Sequence, residues 1–175
     1  IIFASDNGAA IQAPIKILNC NAGFKGRKGT LYEGGIRVPF IVNQPGMVPI
    51  QTLDNLIYFP DMMPTLAALA KGTKHLPKQI NGINILPLFY GKQVDTDNRL
   101  LYWEFPGKQR AARKGDWKCV TIHPNQPLEL YNLKEDPEET NNLAKKYPRR
   151  VKEFDEEMQR MHIPTPNWPQ PGEQF

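Results

Sequence analysis

Gly26-Arg-Lys-Gly-Thr-Leu-Tyr-Glu-Gly-Gly-Ile-Arg-Val-Pro39 places three cations (Arg27, Lys28, Arg37), one acid (Glu33) and four glycines within fourteen residues. Glycine lets backbone turn sharply and approach a ligand closely, so a cation on such a loop is well placed to meet an anion. The apolar run Val38-Pro-Phe-Ile-Val42 follows at once and reads as a buried strand. A charged loop beside a buried strand is how many α/β proteins present a site at a sheet edge.

Upstream, Ile1 to Ala4 reads as a strand running into Ser5-Asp6-Asn7-Gly8. Asp-Asn-Gly is strong turn chemistry. At the end of a strand, Asp6 and Asn7 also offer hard oxygen donors to calcium or magnesium. Calcium takes about six to eight oxygens, so two residues supply only part of a site, and no acidic cluster follows them. Gly23-Phe-Lys-Gly-Arg-Lys-Gly-Thr30 is not a nucleotide loop: its lysine precedes the glycine, and Leu-Tyr-Glu-Gly-Gly is a poor helix start. Ala9 to Phe24 reads as an excursion with at most a helical turn.

The 175 residues carry 40% hydrophobic and 23% charged side chains, the proportions of a globular protein with a real core. A formal charge of +4, with cations spread among eighteen acids, does not call for nucleic acid. No apolar run approaches the roughly 20 residues that span a bilayer. The chain opens inside an apolar run without an initiator methionine, which reads as a piece of a longer protein. Cys20 and Cys119 have no redox or metal spacing and read as two buried thiols, with one disulfide as the alternative. His75, His123 and His162 stand far apart and form no metal-binding pair.

Farther along, Pro64 suits the first turn of a helix whose apolar face is Leu66, Leu69 and Ala70 and which stops at Gly72. The composition turns polar at Gly91 to Asn98, predicting two parts, 1–95 and 96–175. In the second, strand-like runs at 100–105, 110–113, 117–122 and 128–133, with Lys114-Gly-Asp116 as a hairpin turn, predict an antiparallel meander. Pro148 to His162, with Val151, Phe154, Met158 and Met161 at helical spacing, predicts the longest helix.

Taken together, Ser5-Asp-Asn-Gly8, the fourteen-residue block and Pro45-Gly46 leading into 59–69 resemble the later part of the type I sulfatases, members of the alkaline phosphatase superfamily. Leu101-Tyr-Trp-Glu104, Arg113-Lys-Gly-Asp-Trp-Lys118 and the block from Glu129-Leu-Tyr to Asn142-Leu143 resemble that family's C-terminal subdomain. The resemblance implies an α/β fold: the C-terminal part of the catalytic sheet-and-helix domain, then a small antiparallel sheet packed with a C-terminal helix. It implies hydrolysis of sulfate esters, on carbohydrates by default, by a formylglycine nucleophile with a calcium ion on the sulfate. Asp6 and Asn7 match calcium ligands in that family, and Lys28 matches the lysine that contacts sulfate. Arg27 is expected to flank, and Glu33 and Arg37 to brace the loop. Trp103, Glu104 and His123 are weaker candidates for substrate contact, set against plain packing or surface roles.

The resemblance is partial. The formylglycine motif Cys-x-Pro-Ser-Arg matches neither Cys20-Asn-Ala-Gly nor Cys119-Val-Thr-Ile, and the family's early aspartate pair, arginine and histidines are not here. The expectation is therefore a sulfatase portion inactive by itself, from a periplasmic, secreted or lysosomal parent, its oligomeric state open. Alternatives are a phosphate or phosphonate ester hydrolase of the same superfamily and a non-catalytic binding module.

Overall fold

The computed structural model describes residues 1–105, 109–123 and 125–167, the side chain of Lys16 excepted. The chain forms two compact units, Ile1–Phe3 with Phe40–Arg99, and Ala4–Pro39 with Leu100–Phe175. The second junction, Arg99 to Leu100, falls a few residues beyond the composition change at 95. The segment carrying Asp6, Asn7 and Lys28 belongs with the C-terminal unit rather than with the residues around it in sequence.

In the first unit, β1 (Ile2–Ala4) pairs with β2 (Phe40–Val42). The expected buried strand over 38–42 is shorter and not buried, with Ile41 57% exposed. A two-stranded ladder covers only its shared edge, so its faces stay open. Downstream, Asp61 is fully buried and every lone-pair direction of its carboxylate is used. It accepts from the amides of Tyr58 (3.0 Å) and Ile83 (2.9 Å) and takes both terminal nitrogens of Arg99 at 2.6 Å. A paired, hydrogen-bonded carboxylate is the condition under which burial of charge is tolerated.

The helices in chain order are α1 (Ile15–Leu18), α2 (Glu33–Ile36), α3 (Met62–Leu69), α4 (Leu86–Phe89) and α5 (Pro148–Met161). Helix α3 starts at this aspartate, with Pro64 in its first turn as expected. The helix is rotated from the predicted face. Pro64 and Thr65 are buried, whereas Leu66 and Leu69 are nearly half exposed. The Thr65 hydroxyl accepts from the Ile85 amide at 2.9 Å, and this buried polar contact sets the rotation.

The second unit is built on the predicted meander: β3 (Leu100–Phe105), β4 (Gln109–Lys114), β5 (Trp117–Thr121) and β6 (Glu129–Asn132), antiparallel in that order. Register places Trp103, Ala111, Val120 and Glu129 in one row, and Leu101, Arg113, Lys118 and Tyr131 in the next. Side chains alternate between faces, so these rows share one face, and Tyr102, Ala112, Cys119 and Leu130 share the other. The second face packs under α5 (Pro148–Met161), whose Val151, Phe154 and Met158 close over Ala112, Cys119 and Leu130. The first face packs on Leu31 and Tyr32 of the glycine-rich block. The sheet is thus a slab with a helix on one side and the glycine-rich loop on the other.

Candidate functional site

The site begins where β1 ends. Ser5 Oγ donates to the Asn7 carbonyl at 2.8 Å, closing the Asp-Asn-Gly turn on itself. Gly8 then lies flat against the glycine pair of the loop: its amide donates to the Gly35 carbonyl at 2.9 Å. A Cβ on Gly8 would sit 1.8 Å from the Gly34 carbonyl oxygen, which no side chain tolerates. The next contact is the Lys28 amide donating to the Ala9 carbonyl at 2.9 Å. Two backbone hydrogen bonds therefore bring the turn of Asp6 and Asn7 and the loop of Lys28 together.

The three side chains so gathered face outward. Asp6 and Lys28 are exposed and Asn7 is half-buried. Among the described residues, none of the three side chains is taken up by an internal hydrogen bond or ion pair. That sets them apart from the loop's other polar groups, all of which are engaged. Arg27 donates to the Ile11 carbonyl (3.4 Å), in keeping with a flanking role. Lys25, the nearest other lysine, is held 4.1 Å over the Tyr32 ring, with its ammonium 3.0 Å from the Tyr131 hydroxyl and 3.4 Å from Glu129.

What holds the loop is a buried charge array. Residues Glu33–Ile36 form one helical turn, α2, despite the two glycines in it. Glu33 points from it into the sheet face, where Oε1 meets Lys118 Nζ at 2.8 Å, while Oε2 lies 3.6 Å from Arg113 and 3.8 Å from Arg37. The bracing expected of Glu33 and Arg37 is present, but its centre is Lys118. Lys118 is fully buried and also meets Glu139 Oε1 at 2.9 Å. Glu139 Oε2 returns to accept from the Glu33 amide at 2.7 Å, which satisfies a free N–H of the short helix. Glu139 occupies left-handed backbone, φ 56°, an uncommon state for a residue with a side chain. Burial raises its carboxyl above the usual range, against the pull of Lys118 and the Glu33 amide.

A second tie is the Gln109 carboxamide, which accepts from the Leu31 amide (3.3 Å) and donates to the Gly29 carbonyl (2.9 Å). A third is Glu129, which accepts from the hydroxyls of Tyr32 and Tyr131, each at 2.7 Å. Burial works against its charge, but the two hydroxyls and Lys25 outweigh it and hold Glu129 below the usual carboxylate range.

The weaker candidates are not brought together. Trp103 lies on the loop face and packs against the Leu31–Tyr32 cluster. Glu104 lies on the opposite face, bonded to the Tyr102 hydroxyl, with Oε1 2.6 Å from His162 Nδ1. His123 is exposed, and its carbonyl accepts from the Thr121 hydroxyl (2.7 Å) and the Gln126 amide (3.0 Å) in the turn after β5. Both cysteines are free. Cys20 is exposed, contrary to the expected burial, because its loop contributes nothing to either core cluster. Cys119 is buried beneath α5, which pushes its thiol up to about 12.

As a donor set, Asp6 and Asn7 suit a hard cation but cannot complete one. Among the described residues, no three His, Cys, Asp or Glu side chains converge on a metal-sized point. The arrangement offers two oxygen donors and one uncommitted ammonium on two segments tied by backbone hydrogen bonds.

Comparison with known proteins agrees in one direction. Residues 24–163 match the family model described as N-sulphoglucosamine sulphohydrolase, C-terminal; Lys28 is inside that range and Asp6 and Asn7 precede it. A sulfatase of Formosa agariphila is 32% identical over 85% of this chain and 29% of its own length. Human arylsulfatase A is 30% identical over 82% of this chain and 33% of its own. Among solved structures, one from the metabolism of glycosaminoglycans by Bacteroides thetaiotaomicron superposes with a TM-score of 0.79 at 29% identity, covering 91% of this chain and 38% of that one. Ps i-CgsB in complex with k-i-k-neocarrahexaose gives 0.73 at 26% identity, over 91% of this chain and 35% of that one. The chain spans about a third of the length of the proteins it matches.

Proposed function

This chain belongs to the sulfatases, in their C-terminal part, and from that premise we propose that it supplies one side of a sulfate-ester hydrolysis site. The observation that carries the reading is the grouping of Asp6, Asn7 and Lys28 through the Gly8–Gly35 and Lys28–Ala9 backbone bonds, with all three side chains uncommitted. Lys28 meets the sulfate oxygens. A compact ammonium stabilises charge that grows on them as the ester bond breaks. Because its loop is fixed by buried charge, little reorganisation accompanies that contact.

Asp6 and Asn7 would hold calcium together with donors from elsewhere in the protein. When bound, that ion polarises the sulfate as a Lewis acid. The two residues contribute hard oxygens of the type calcium selects, and the closed turn keeps both at the strand end. The nucleophile, a formylglycine, comes from outside these residues, since neither cysteine stands in the required motif and Cys119 is buried. The chain alone is therefore inactive in this reading. The substrate class is sulfated carbohydrate, supported by the neocarrahexaose bound to one relative and by the glycosaminoglycan metabolism of the other.

The test is Lys28→Ala in the full-length protein, assayed on an aryl sulfate and a sulfated glycan. Because Lys28 is exposed and unpaired, its loss should leave the melting temperature in place. It should lower kcat/KM by at least about tenfold, equivalent to about 1.4 kcal/mol of transition-state stabilisation. Unchanged kinetics would remove Lys28 from the site and sink the reading.

A further inference from the structure

The entrance to α5 concentrates positive charge. Lys145-Lys-Tyr-Pro-Arg-Arg-Val-Lys152 holds five cations and no acid in eight residues. Cations at the start of a helix oppose its dipole, and acids are favoured there; the first turn of α5 has none. The acids come later, at Glu153, Asp155, Glu156 and Glu157. All five cations are exposed. Only Lys152 pairs with a carboxylate, Glu156 at 3.8 Å; among the described residues Lys145, Lys146, Arg149 and Arg150 pair with none. Two are set on aromatic rings instead. The Arg150 guanidinium lies 4.4 Å over Trp117 and the Lys146 ammonium 5.4 Å over Tyr147, and the two rings meet edge to face at 5.3 Å.

We propose that this surface, outside the reaction site, is a docking patch for the polyanionic chain of a sulfated glycan. Repulsion among unpaired like charges and their conflict with the dipole are relieved when an anionic chain lies across them. Arginine and lysine side chains oriented by stacking lose less freedom on meeting sulfate groups, and arginine can take a sulfate bidentately. Charge alone would also suit nucleic acid. Trp117 argues against it, because it is half-buried and covered by Arg150 rather than open to stack a base. The choice of sulfated carbohydrate rests on the proposed function; the patch itself does not.

The test measures affinity for immobilised heparin, with desulfated heparin and a short duplex DNA as comparison probes. The full-length protein is compared with Lys146→Glu/Arg149→Glu/Arg150→Glu and with a charge-matched control, Lys71→Glu/Lys74→Glu/Lys78→Glu, whose sites are exposed in the other unit. The patch variant should lose at least about tenfold in heparin affinity and the control less than about threefold, and desulfated heparin should not bind. Equal losses in both variants would reduce the effect to net charge and overturn the proposal, as would no loss in the patch variant. DNA bound as tightly, with the same dependence on the patch, would overturn the assignment to glycan. If reversal of the stacked residues impairs folding, Lys145→Glu/Arg149→Glu leaves both stacked pairs intact and should give the same direction of loss. The two readings fail separately: the patch variant keeps turnover of a small aryl sulfate, while Lys28→Ala loses turnover and keeps heparin affinity.

Discussion

Lys118 Nζ lies 2.8 Å from Glu33 Oε1, an ion pair with no solvent on either side that joins the meander to the loop of Lys28. The same ammonium meets Glu139 at 2.9 Å, so one lysine joins two buried carboxylates. Removing one partner from such a group strands the others in a medium that solvates charge poorly. Lys118→Met should therefore cost about 3–5 kcal/mol, measured by denaturant unfolding of the chain. The loss should be largely recovered in a triple variant that also carries Glu33→Gln and Glu139→Gln, because the stranded charges are then gone. A Lys118→Met chain of unchanged stability would mean the array does not hold the loop.

The acid limb of stability should report Glu129. Burial opposes its charge, but the hydroxyls of Tyr32 and Tyr131 and the Lys25 ammonium prevail and depress its pKa. A depressed carboxyl binds its proton less readily folded than unfolded. Its contribution is thus fully present above the unfolded glutamate value of about 4.3 and is lost as pH falls through the lower folded value. Glu129→Gln should flatten the fall in stability in that window while leaving the slope near neutrality alone. Thermal midpoints of both proteins across acid pH check this, and parallel curves would exclude Glu129 as the titrating group.

How far these features are legible beforehand depends on their range in sequence. The meander is visible because alternation is a local property, and the four observed strands lie within two residues of those expected. So does α5, whose Phe154 and Met158 are four residues apart and both buried. Lys118 gives no such signal: it reads as one more lysine in a basic strand, and its partner Glu33 is 85 residues away. The helical turn at Glu33–Ile36 defies the low propensity of Gly-Gly because the Glu139 carboxylate satisfies its first amide from 106 residues away. The outward rotation of α3 is hidden for the same reason, being set by a hydrogen bond from Ile85. Asp6, Asn7 and Lys28 are legible only as members of motifs, and the backbone bonds that unite them are not.

The contact between Gly8 and the loop makes a separate prediction. Gly8→Ala puts a methyl 1.8 Å from the Gly34 carbonyl oxygen and 2.8 Å from its carbon, both backbone atoms that cannot swing aside. The turn must move off the loop, at a cost of about 1–3 kcal/mol by analogy with overpacking. Gly46→Ala is the control: a Cβ there meets nothing within 4 Å, so only its positive φ of 75° carries a cost. In the full-length protein, Gly8→Ala should lower turnover far more than Gly46→Ala at matched stability. Equal effects would mean that the seating of Asp6 and Asn7 on the loop is immaterial to the reaction.

In the proposed reading, calcium binding is expected to distinguish the isolated chain from the full-length protein. The ion takes about six to eight oxygens, and among the described residues no three His, Cys, Asp or Glu side chains converge to complete a shell around Asp6 and Asn7. Titration calorimetry on the isolated chain should thus show no sub-micromolar site. The full-length protein should show one, and Asp6→Ala should weaken it at least about tenfold, or about 1.4 kcal/mol, since a charged oxygen ligand is lost. Asn7→Ala should weaken it less, because a neutral carbonyl is replaceable by water. Tight binding by the chain alone would mean that its own residues complete the ion's shell and that the division of the site between two stretches of protein is wrong. Full affinity retained in Asp6→Ala would move the ion away from this turn altogether, leaving Asp6, Asn7 and Gly8 as a plain turn against the loop of Lys28.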